Sequence, residues 1–105
     1  MISDMEQKEI SASQIVYDQL GGKRFMVKVG AKKMIQGNTT LSFDVKKNPK
    51  DVTHVHIIIV FPDIYDVEFL KRYDYETEIL SASYNVCAED LHKIIEEGTG
   101  LEIHL

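Results

Sequence analysis

The sequence predicts an α+β fold: a two-layer sandwich in which an antiparallel four- or five-stranded sheet carries N- and C-terminal helices on one face. Three observations predict it. Segments near both ends repeat apolar residues at helical spacing, the middle of the chain alternates apolar and polar residues, and glycine or Asn-Pro signals separate them. Both amphipathic helices need cover for their apolar stripes, and one face of the sheet offers it.

The elements follow in order. Residues 1–9 are polar and are expected to form a flexible N-terminus, with residues 10–105 as a single domain. Ser11 is suited to cap a helix, with Gln14 three residues on as in a capping box and Ile10 stapled onto Ile15. Ala12, Ile15, Val16 and Leu20 give the helix its apolar face, and Gly21-Gly22 is expected to end it. Phe25, Val27 and Val29 then alternate with Arg24, Met26 and Lys28, which reads as a strand with its basic side outward. "GAKKMIQGNTT" reads as a loop or a poorly regular hairpin connection. Leu41, Phe43 and Val45 alternate again, and "NPKD" is a turn.

The segment Thr53 to Phe61 becomes apolar on both faces, which places it centrally in the sheet. A three-residue connection, Pro62 to Ile64, would pair Phe61 with Tyr65, Ile59 with Val67 and Ile57 with Phe69. A fifth strand is expected near Glu76 to Tyr84. The last helix runs from about Cys87 to Glu97 on Ala88, Leu91, Ile94 and Ile95, with Gly98 or Gly100 as its stop.

Composition narrows the class. The chain has 105 residues, 44 % of them hydrophobic, which suffices for one modest core. Its one cysteine, Cys87, excludes an intrachain disulfide. The longest apolar run, Ile57 to Phe61, is far too short to span a membrane, and "MISDMEQKEI" lacks the regions of a signal peptide, so a cytoplasmic protein is expected. The net charge of -5 is unevenly spread. Residues 19–50 hold eight basic groups against Asp44 alone, and residues 51–105 hold twelve acids against Lys71, Arg72 and Lys93.

The glycines do not form a phosphate loop. No Gly-x4-Gly-Lys-Ser/Thr string is present, and Gly21-Gly22 follows a helix where a phosphate site needs glycines before one. The basic residues are a stronger signal: Arg24, Lys28, Lys32, Lys33 and Lys46 would form a strip suited to phosphates or to an acidic protein surface. The competing reading is a solvated face. "HVH" sets His54 and His56 on one strand face with Glu68 on the neighbouring strand, a set that zinc would accept; ordinary surface histidines are the alternative. Cys87 and His92 lie five residues apart on a helix, a spacing that turns their side chains away from each other and argues against a catalytic pair. On the face opposite the helices, Ile58, Val60 and Leu70 stand among His56, Asp66 and Glu68. That face is a candidate protein-binding patch, with the C-terminal tail "TGLEIHL" or a second copy of the chain as competing covers.

The stretches "ASQIVYDQLGGKRFMVKVGAKKM", "LSFDV", "DIYDVEF" and "LHKIIEEGTGLEIHL" together resemble a family of small proteins encoded by phages and mobile elements. Many of its members read Asn-Phe where this chain has Lys33-Met34. The resemblance implies a phage setting and carries no catalytic residues with it. Small phage proteins include anti-CRISPR inhibitors of host effector nucleases, so the expectation is a non-enzymatic binding protein that occludes such a host protein. The alternative is a nucleic-acid-binding accessory protein using the basic strip of residues 23–50.

Overall fold

A computed structural model describes residues 12–103. The expected flexible segment 1–9, the Ser11 cap and the Ile10 staple lie outside the described residues, as does the end of the C-terminal tail at 104–105.

Helix α1 spans Ala12–Leu20 and buries Ser13, Val16 and Leu20, a spacing of three and four residues. Ile15, expected on that face, is 43 % exposed instead. Gly21 and Gly22 both take positive φ, 120° and 61°, and kink the chain without starting a strand. A second helix, α2, follows at Gly22–Val29. The expected strand over 24–29 is therefore corrected. Phe25 and Val29 lie on one side under either a period of two or a step of four; Val27 tells them apart, and it is 69 % exposed while Phe25 and Val29 are fully buried. A Schellman closure ends α2: Gly30, at φ 62°, donates to the Val27 carbonyl at 3.1 Å, and Ala31 donates to Met26 at 2.8 Å.

The sheet has five antiparallel strands in sequential order: β1 Lys32–Gln36, β2 Thr40–Asp44, β3 His54–Phe61, β4 Ile64–Arg72 and β5 Thr77–Cys87. β1 occupies the segment read as a loop. As a sheet edge with all five residues exposed it carries no apolar alternation, so its sequence held no strand pattern to read. The "NPKD" turn is present; Asn48 donates to the Lys46 and Val52 carbonyls at 2.8 and 2.7 Å and accepts from the Val52 N–H.

The β3–β4 turn is tighter than expected. Pro62 and Asp63 form it, with Asp63 at φ 64°, and Phe61 faces Ile64. Ile59 therefore meets Tyr65, Ile57 meets Val67 and Val55 meets Phe69, a register two residues from the expected one. A slip of two leaves every side chain on its intended face.

After β5, a 3-10 turn at Ala88–Asp90 precedes helix α3 at Leu91–Thr99, so the regular helix begins later than Cys87. Gly98 lies inside α3, and the stop is Gly100 at φ 77°, whose N–H donates to the Glu96 carbonyl at 2.7 Å. The helices and the sheet enclose one core that includes Val16, Leu20, Phe25, Phe43, Ile57, Tyr65, Phe69, Leu91 and Ile95. Phe25 meets Phe43 edge-on at 5.9 Å and stacks on His92 at 5.7 Å.

Candidate binding surface

α1 and α3 cover one side of the sheet, and among the described residues no helix lies on the other side. Alternation along each strand decides which residues it shows. Val55, Ile57, Tyr65, Val67 and Phe69 turn to the core, so His54, His56, Ile58, Asp66, Glu68 and Leu70 share the open face. The register arranges them in rows across the strands. One row runs Asp44, His54, Leu70, Ile79; the next runs Ile35, Ser42, His56, Glu68, Ala82.

Each histidine has its own carboxylate. His54, only 8 % exposed, places Nδ1 2.8 Å from Asp44 Oδ1, and His56 places Nδ1 3.2 Å from Glu68 Oε1. Glu68 stands directly across from His56. Arg72 reaches over the first row, with Nη1 3.8 Å from Asp44 Oδ1 and Nη2 3.4 Å from His54 Nδ1. The shorter Asp44 contact sets the tautomer: Nδ1 carries the proton and donates it. The two imidazoles therefore serve two separate cross-strand pairs. Among the described residues, the ligand atoms that gather within 4.8 Å of one another belong to Cys87, Glu89 and Asp90.

His92 is occupied elsewhere. Its ring stacks on Phe25, and Nε2 donates to the Leu20 carbonyl at the end of α1, so it ties α3 to α1 and does not turn to Cys87, which is exposed. The described part of the C-terminal tail, up to Ile103, does not cover the open face either. Ile103 is buried in the helix-side core, and its N–H donates to Glu96 Oε2 at 2.7 Å.

Of the apolar residues expected to form a patch, Ile58 is half-buried, Val60 is 46 % exposed, and Leu70 is nearly shut at 9 %. The sequence reading missed the larger apolar feature beside them. Ile15 of α1 and Ile59, Val60, Phe61 and Pro62 of the β3–β4 hairpin line a cleft of about 390 Å³, with Phe61 69 % exposed. A signal existed in the sequence: the apolar run continues to Phe61 at the hairpin tip, past the point where either sheet face needs it. Tyr65, at the cleft wall, donates to Gln19 Oε1, and Gln19 Nε2 in turn donates to Asp63 Oδ1 at 2.5 Å.

The fold also separates the charges. Arg24 and Lys28, one helical turn apart, are exposed on α2. Lys32 and Lys33 open β1, and Lys46 binds the end of α2 through its N–H to the Val29 carbonyl at 2.9 Å. These residues collect at the β1 margin, and among the described residues Arg24, Lys28, Lys32, Lys33 and Lys46 form no ion pair. The opposite margin, at β5 and α3, carries Glu76, Glu78, Glu89, Asp90, Glu96 and Glu97 against Lys93. Among the described residues no helix is long and apolar enough to cross a membrane.

No protein family, curated protein or solved structure matches this chain.

Proposed function

We propose that this is a non-enzymatic binding protein that docks a protein partner at the cleft of Ile15, Val60 and Phe61 and on the adjoining open sheet face. The observation that carries the reading is Phe61, an aromatic side chain 69 % exposed at the rim of an apolar cleft. Exposed aromatic anchors in apolar surroundings are where interface energy concentrates, and the unpaired lysines at the β1 margin would steer an acidic partner toward it. The resemblance to small phage proteins supports a partner from the host's defence, with a CRISPR effector nuclease as the first candidate and occlusion in the host cytoplasm as the mode of action.

The experiment is a cleavage assay with purified effector nucleases and increasing amounts of this chain. Dose-dependent inhibition is expected, weakened at least about tenfold by Phe61→Ala. Undiminished cleavage at saturating concentrations across effector types removes the CRISPR target. Equal potency of the Phe61→Ala variant removes the docking site.

The five basic residues that form no ion pair among the described residues favour a second reading, a nucleic-acid-binding accessory protein. Its affinity for DNA or RNA would fall steeply from low to physiological salt, because each neutralised phosphate releases counterions. An absence of binding at low salt eliminates it.

A further inference from the structure

Among the described residues the sheet has two unpaired edges, and they differ. β1 is five residues long and opens with Lys32 and Lys33, the kind of charged, short strand that resists further pairing. β5 is eleven residues long, contains no proline or lysine, and has Glu78 as its one charge. Being last in the strand order, it has no strand paired on its outer side among the described residues.

We propose that β5 pairs with β5 of a second copy of this chain, antiparallel about a two-fold axis through Ala82, to make one continuous ten-stranded sheet. Two features select this occupant. First, "LSASY", residues 80–84, reads nearly the same from either end. An axis at Ala82 sets Ser81 opposite Ser83 of the other copy and Leu80 opposite Tyr84 of the other copy. Leu80 and Tyr84 are 38 % and 67 % exposed, and this pairing covers both twice over. Second, the register shifts of β4 against β5 fall almost evenly about that point. One lies between the partners Ser81 and Ile79, the other between Val86 and Ser83. The regular segment is therefore centred where the axis requires it, and the irregularities coincide when the copy is rotated. A contact between β5 and the β1 edge of another molecule would instead leave an open edge at each step, closing only as a ring of several copies and never as a dimer.

The test combines solution mass with cross-linking. Sedimentation of the full chain over a wide concentration range is expected to show a monomer–dimer equilibrium. Leu80→Lys should weaken it by about tenfold, and the double variant L80K/Y84E, which faces opposite charges across the axis, should recover it. Ala82→Cys in a Cys87→Ser background should form a covalent dimer on mild oxidation, because residues paired at the axis lie within disulfide range. Ser81→Cys in the same background should not. Wild-type Cys87 should not either, its copies being ten residues apart along the paired strands, roughly 33 Å. The cross-linking arm stands whether or not Leu80→Lys folds. A monomer at every concentration, a dimer in which Ala82→Cys fails to cross-link, or mass that keeps growing past the dimer overturns the proposal.

Discussion

Replacing Gly98 by alanine should destabilise the protein, although the same change in most helices stabilises. A Cβ built on Gly98 would sit 2.2 Å from Phe69 Cζ and 2.4 Å from Cε1 and Cε2. Carbon atoms pack at about 3.5–4.0 Å, so helix or ring must shift by roughly 1 Å or more. Phe69 is 1 % exposed within the core and has nowhere to go. Overpacking of this kind costs about 1–3 kcal/mol. The opposing gain in helix propensity is at most about 1 kcal/mol, and less here because Gly98 is the penultimate residue of α3. A net loss of about 2 kcal/mol is expected, read as a lower urea midpoint at unchanged m, with a melting temperature roughly 10 °C lower. Phe69→Leu in the same chain should relieve part of that loss, a coupling of about 1 kcal/mol in a double-mutant cycle. If Gly98→Ala is neutral or stabilising, α3 does not rest on Phe69 and the reasoning fails.

Gly30→Ala should cost about 2 kcal/mol, because the residue holds φ 62° and its Cβ would come 2.7 Å from Lys46 Cβ; an unchanged unfolding midpoint would refute the Schellman closure of α2. Burial raises the Tyr65 phenol above its ordinary 10.0, and the nearby Asp63 charge adds to this. A raised value in the fold means this contribution is complete below pH 10 and lost as pH climbs through the folded value. Unfolding between about pH 8 and 11.5 should therefore show a fall in stability above 10 that Tyr65→Phe lessens; identical slopes in both proteins would contradict it. Zinc in protein purified without a histidine tag should be sub-stoichiometric and unchanged in H54A/H56A, since each imidazole already bonds a different carboxylate. Stoichiometric zinc that disappears in that variant would establish the site at His54, His56 and Glu68.

Which elements were legible follows from how each is buried. β2, β3 and β4 have helices on one side and alternate accordingly, so their period of two could be read directly. α1 and α3 each cover the core with one stripe, and their spacing was equally plain. β1 was invisible because an edge strand with five exposed residues buries nothing that a pattern could record. α2 was misread because Phe25, Val27 and Val29 satisfy a strand, while a helix needs only Phe25 and Val29; the choice lay in whether Val27 found a neighbour, and it did not. The candidate site divides the same way. The open face and the basic residues followed from alternation and charge, but the cleft at Ile15, Val60 and Phe61 exists only because α1 lies beside a hairpin tip far away in sequence.

By itself, then, the sequence determined the two-layer α+β class, the central strands with their faces, and the uneven distribution of charge, all of which are local or periodic properties of the chain. Tertiary structure alone decided that 22–29 is a helix, that the β3–β4 register lies two residues from the simplest one, and that the basic and acidic residues occupy opposite margins. It also decided the meaning of Gly98. Read along the chain, that glycine was a candidate stop for the helix. In three dimensions it is the point where α3 comes down on the ring of Phe69, a contact between residues 29 apart in sequence that no local pattern encodes.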